Sequence, residues 1–223
     1  MGLLDVPRVL PSVMAADLMR PGEQVDALLG AGCRVFHVDV MDGRFVPNLT
    51  LGTGFAAALA PRARAAGGML DVHLMVDRPG LMIERFAPHA GSISVHPEAD
   101  PQIHRRLAEI REAGCLAGLA LSPGTPPSLL AGLLDVVDYV NVMGVDPGFS
   151  GQDFIATTPD RIAAVRALVP PDMPVEVDGG IHAATLPLAR DAGASLFVSA
   201  SGIFGHDDPV AAYRELAGLA GGG

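Results

Sequence analysis

A chain of 223 residues, 49% hydrophobic and 18% charged, is too apolar for a disordered segment and long enough to bury one sizeable core. Its formal net charge of −10 argues against nucleic acid or an anionic membrane surface as partner, since both need a basic footprint. A small phosphate stays admissible, because backbone N–H groups at loops and helix N-termini bind anions whatever the global charge. No apolar run approaches the roughly 20 residues of a spanning helix. Residues 1–8 carry an early acid and no basic n-region, so the expectation is a cytoplasmic protein without a secretory signal.

Apolar strand candidates follow one another near residues 9–14, 34–40, 69–76, 92–96, 116–121, 139–144, 174–178 and 196–200. Amphipathic segments such as 21–29 and 102–110 separate them, several ending in Ala-Gly, an expected helix stop. Strand alternating with helix eight times predicts a single-domain (β/α)8 TIM barrel over residues 1–223, with an open doubly wound sheet as the alternative. Residues 219–223 read as a flexible tail. Cys33 and Cys115 lack a CxxC partner and read as buried free thiols.

The second strand candidate is the most informative. In His37-Val38-Asp39-Val40-Met41-Asp42-Gly43, His37, Asp39 and Met41 project to one face and Val38 and Val40 to the other. A long loop, 41–52, follows. Asp71-Val72-His73-Leu74-Met75 repeats the His/Met alternation on the third strand, and Asn141-Val142-Met143 a polar/Met alternation on the sixth. The loop 144–154 after that strand has glycine and proline around Phe149 and suits a lid or a backbone anion nest. Strand seven ends Val177-Asp178-Gly179-Gly180, and strand eight ends Ser199-Ala200-Ser201-Gly202. These small-residue turns, on adjacent strands, are where barrels bind phosphate through backbone N–H groups, which implies a phosphorylated substrate.

Barrel active sites lie at the C-terminal strand ends, which is where His37, Asp39, His73 and Asp178 fall. Two imidazoles and two carboxylates there suit one divalent metal ion, with zinc favoured by the imidazoles and manganese, iron or cobalt admissible. A cation beside a carbonyl stabilises an enediolate. Asp39 and Asp178 facing each other across the substrate would remove a proton from one side and return it to the other, which is epimerisation. Met41, Met75 and Met143 would form an apolar cap, or serve simply as core. Asp42 and Asp71 read as loop or outer-face structural acids.

These segments, with Pro11-Ser12-Val13-Met14-Ala15-Ala16-Asp17, Ser94-Val95-His96-Pro97-Glu98-Ala99 and Ser122-Pro123-Gly124-Thr125-Pro126, resemble the ribulose-phosphate 3-epimerase family over nearly the whole chain. The resemblance implies that His37, Asp39, His73 and Asp178 bind the metal, with Asp39 the proton acceptor and Asp178 the donor. It implies that Ser12 and His73 contact the substrate. Gly148, Phe149, Ser150, Gly151, Gly179, Gly180, Ala200 and Ser201 would hold its phosphate end. The implied reaction interconverts D-ribulose 5-phosphate and D-xylulose 5-phosphate in the pentose phosphate pathway, in a homo-oligomer. Ala200 stands where the family usually has glycine. His96-Pro97-Glu98, Val145-Asp146-Pro147 and Ser201-Gly202-Ile203-Phe204 are closer to the allulose-6-phosphate 3-epimerases, whereas Asp178-Gly179-Gly180 is closer to the pentose enzymes. A hexose phosphate therefore remains an alternative substrate. A sugar-phosphate-binding barrel without catalysis is the alternative of another class, and a metal-independent barrel decarboxylase or synthase is opposed by the paired histidines.

Overall fold

The computed structural model describes residues 6–221. Eight parallel strands run β1 (Arg8–Pro11), β2 (Val35–Met41), β3 (Met69–Met75), β4 (Ser92–Val95), β5 (Leu116–Leu121), β6 (Tyr139–Met143), β7 (Val175–Asp178) and β8 (Leu196–Ser199). They pair in the order β1-β8-β7-β6-β5-β4-β3-β2. A parallel bridge between Ser12 and His37 brings β1 against β2 and closes the ring. The architecture is the expected (β/α)8 barrel, not the open sheet.

Outside lie the helices α1 (Pro21–Gly30), α2 (Thr53–Ala65), α3 (Pro79–Phe86), α4 (Ile103–Glu112), α5 (Thr158–Arg166), α6 (Leu186–Asp191), α7 (Ser201–Phe204) and α8 (Pro209–Ala220). Between β5 and β6 the expected helix is only a 3-10 segment, Pro127–Gly132. Pro123, Pro126 and Pro127 crowd that connection and each lacks the N–H that an α-helix would use. Part of the segment expected as a tail is helical. Leu219 and Ala220 belong to α8, with Ala220 buried, and residues 222–223 lie outside the described residues.

The two faces of each strand do different work. Outward residues such as Val38, Val72, Ile93, Leu119, Val140 and Phe197 join buried residues of the helices in one continuous apolar core. Inward residues Leu10, Val35, Tyr139, Leu196 and Val198 form a separate apolar plug inside the barrel. Above it the interior turns polar. The β2–β3 register stacks three rungs, His37 beside Asp71, Asp39 beside His73 and Met41 beside Met75. Across the barrel, β6 and β7 pair Asn141 with Glu176 and Met143 with Asp178. Cys33 and Cys115 are free and buried, and burial pushes the Cys33 thiol up to about 12.

Candidate active site

The strands deliver two histidines and two aspartates to one point. His37 Nε2 lies 3.3 Å from Asp39 Oδ1 and 3.6 Å from Asp178 Oδ2. His73 Nδ1 lies 3.1 Å from Asp178 Oδ2 and 3.5 Å from Asp39 Oδ1. A tetrahedral cation with ligands at about 2.0–2.2 Å has ligand–ligand edges of roughly 3.3–3.6 Å; three of these separations fall in that range and the fourth, 3.1 Å, is slightly shorter. His37 Nε2 is a buried nitrogen with no hydrogen-bond partner, as a metal-directed lone pair requires. The other nitrogen, Nδ1, is 2.7 Å from Asp71 Oδ2, an arrangement that fixes the tautomer of a ligating imidazole. The residues fit a divalent cation.

Charge compensation at this point is mutual. Burial by itself would push both imidazoles down, but Asp39 and Asp178, with Asp71 for His37, hold both above the usual histidine range. Burial also works against the ionised form of Asp39, yet His37 and His73 hold its carboxyl well below the usual carboxylate range. Asp178 is likewise lowered by the two imidazoles, against burial and against the charge of Asp39, which both push it up. Ser12 Oγ donates a 2.5 Å hydrogen bond to Asp39 Oδ2 and orients that carboxylate.

A cleft opens above. Its lining contains Ser12, Asp39, Asp178 and the expected cap residues Met41, Met75 and Met143. It also contains the expected phosphate-side residues Gly148, Phe149, Ser150, Gly151, Gly179, Gly180, Ala200 and Ser201. His37 and His73 lie beneath, fully buried. The three methionines are buried and also line the cleft. Asn48 Nδ2 donates to the Gly148 carbonyl at 2.8 Å and ties the loop after β2 to the loop after β6. Gly180, at φ +69°, must be glycine: a Cβ there would sit 2.7 Å from the Phe154 Cα. Ala200 has φ −98°, so its methyl group costs no left-handed strain.

One sequence expectation is overturned. Asp71 is not on the outer face: it shares strand parity with His73 and Met75, is fully buried, and accepts from Ser92 Oγ at 2.5 Å and Tyr139 OH at 2.8 Å. Tyr139 reaches it because β5 carries Gly118 there; a Cβ at that position would lie 2.3 Å from the tyrosine ring. Asp42 is the loop acid expected, accepting from the N–H groups of Arg44, Phe45 and Asp77.

Other polar residues inside the barrel were given no site role by sequence reasoning. Glu176 is fully buried with neither oxygen hydrogen-bonded, and burial with the charge of Asp71 pushes its carboxyl well up. His96 is fully buried against His73, with Glu98 beyond it. Alternation alone could have found Glu176, two residues before Asp178 on the same face.

The family model described as the ribulose-phosphate 3 epimerase family matches residues 8–204. The chain belongs to the ribulose-phosphate 3-epimerase family. Ribulose-phosphate 3-epimerase of Bacillus subtilis (strain 168) is 38% identical over 216 residues, covering 95% of this chain and 98% of the relative. The Serratia marcescens ribulose-phosphate 3-epimerase is 42% identical over 204 residues, covering 90% and 96%. That of Escherichia coli (strain K12) is 40% identical over 204 residues, covering 90% of each. Among solved structures, orotidine 5'-phosphate decarboxylase from Pyrococcus horikoshii OT3 superposes with a TM-score of 0.69 at 14% identity, covering 97% of this chain and 100% of that one. A 3-hexulose-6-phosphate synthase gives 0.62 at 18%, covering 95% and 97%. At such identities the likeness is one of fold. The ribulose-phosphate 3-epimerase family places the chain among the isomerases that act on carbohydrates.

Proposed function

We propose that this chain interconverts D-ribulose 5-phosphate and D-xylulose 5-phosphate by moving the C3 proton between Asp39 and Asp178. The observation that carries the reading is the pair of carboxylates itself. They stand on β2 and β7, with β1 and β8 between them, and both reach the floor of one cleft. A ketose phosphate lying across that floor offers its C3 to one carboxylate on each side. Asp39, held ionised and oriented by Ser12, takes the proton. Asp178 must enter the step protonated, against the lowered carboxyl that its two imidazoles give it at rest, and it returns that proton to the opposite face, so the configuration inverts. In the reverse direction the two exchange roles.

A divalent cation held by His37, Asp39, His73 and Asp178 would supply positive charge beside the oxygens of the developing enediolate. Zinc suits two imidazoles and two carboxylates, and manganese, iron or cobalt are admissible. Met41, Met75 and Met143 exclude water from the reacting carbon and offer it a polarizable wall. The phosphate would rest at the other end of the cleft, on backbone N–H groups near Gly148–Gly151, Gly179-Gly180 and Ala200-Ser201. A homo-oligomer in the cytoplasm completes the reading. The exposed apolar side chains Leu18 and Leu49, beside the cleft residue Met14, support self-association. Among the described residues no helix is long and apolar enough to cross a membrane.

A coupled assay of the zinc- or manganese-loaded protein on D-ribulose 5-phosphate and D-allulose 6-phosphate tests the substrate. Higher kcat/KM on the pentose is expected. A preference for the hexose would reassign the substrate, and turnover of neither would leave a binding barrel.

A further inference from the structure

Behind His73, on the side away from the cleft, a line of polar groups runs outward. His73 Nε2 and His96 Nε2 are 2.8 Å apart, with ring centroids 5.0 Å apart and the ring planes inclined by 25°. His96 Nδ1 is 3.3 Å from Glu98 Oε2 and 3.2 Å from Ser122 Oγ. The other glutamate oxygen, Oε1, accepts from the Ser122 backbone N–H at 3.3 Å and from the Thr125 hydroxyl. Phe45 packs on the His96 ring with centroids 4.9 Å apart. Both imidazoles are fully buried, whereas Glu98 stands at the edge with its side chain 32% exposed.

Two ring nitrogens at hydrogen-bonding distance must share one proton: two lone pairs repel, and two N–H groups clash. The contact therefore couples the tautomers of His73 and His96. Glu98 breaks the symmetry. A carboxylate accepts and does not donate, so the proton of His96 goes to Nδ1 and its Nε2 presents a lone pair. His73 must then carry its proton on Nε2, which leaves Nδ1 free to face Asp39 and Asp178.

We propose that Glu98, acting through His96, is a positioning residue that holds His73 in the tautomer able to ligate a divalent cation. The inference rests on the metal-site reading above and adds to it a group that touches neither substrate nor cation. It parallels Asp71, which does the same directly for His37, but it works through a second imidazole and ends near solvent.

The test exploits a polarity that one atom reverses. In Glu98→Gln the amide oxygen is drawn to the two donors, Ser122 N–H and the Thr125 hydroxyl, and the NH2 group is turned toward His96. An NH2 donor there selects the His96 tautomer with its proton on Nε2, which forces the proton of His73 onto Nδ1. Zinc titration by calorimetry, with 15N-resolved NMR of the histidine tautomers, reads both ends of the relay. Glu98→Gln is expected to weaken zinc binding about 10–100-fold, the usual scale for an outer partner of a ligand, and to invert the His96 tautomer. Glu98→Asp, which keeps an acceptor-only group, should recover most of the affinity. Unchanged zinc affinity in Glu98→Gln, or equal losses in both variants, would overturn the relay. The metal-site reading fails separately: the unmodified protein would then take up no stoichiometric zinc, or keep it after His73→Ala.

Discussion

Replacing Asp178 with asparagine is expected to lower kcat by at least ~10²-fold, the scale of one lost acid–base group, while metal content stays near that of the unmodified protein. The two effects separate because of how the side chain sits. Its Oδ2 faces both His37 Nε2 and His73 Nδ1, and an asparagine can turn its carbonyl oxygen to the same place. What it cannot do is carry and release a proton. Asp39→Asn is expected to be worse. Ser12 donates to Asp39 Oδ2 and thereby claims one oxygen. The amide carbonyl would go to Ser12, leaving an NH2 group against the two imidazoles, so this variant loses turnover and metal together. Steady-state rates with metal analysis of both proteins check the pair. Near-normal turnover in either variant would remove that residue from the proton transfer.

His73→Ala and His37→Ala should lose metal first and activity as a consequence, with an affinity loss beyond the ~10–100-fold typical of an outer-shell partner. The same imidazoles give metal binding a defined pH dependence. Before a cation binds, the surrounding carboxylates hold both histidines above their usual range, so binding must displace protons. Affinity therefore rises with pH for as long as the pH lies below those raised values, and levels off above them. Lowering the pH protonates the imidazoles and releases the metal. Calorimetric titration across pH, with proton release measured in buffers of different ionisation enthalpy, checks the sign. Affinity independent of pH, or unchanged metal content in either alanine variant, would count against these ligands.

Strand periodicity made much of this site legible. His37, Asp39 and Met41 alternate along β2, and period two puts them on one face whatever the neighbours are. The β2–β3 register then pairs Asp39 with His73, and only the fold supplies that. Asp71 was legible by the same rule, sharing parity with His73, yet its role depends on Ser92 and Tyr139, which reach it from other strands. Nothing local announces Gly118 as the space through which the Tyr139 ring passes. Alternation puts His96 on the buried face with Ser92 and Ser94, one residue past the end of β4, but says nothing of its partner or of Glu98. Their meaning comes from a 2.8 Å contact between residues 23 positions apart. The short connection between β5 and β6 departed from the helical expectation for a local reason, its clustered prolines.

The most direct test of proton exchange between two opposed carboxylates is conversion of D-ribulose 5-phosphate in D2O, stopped early, with deuterium at C3 measured in product and in remaining substrate. Two bases acting on opposite faces predict a product carrying solvent deuterium and a substrate that stays largely unlabelled. Comparable label in both would point to a single base serving both faces. Product without label would contradict the mechanism outright.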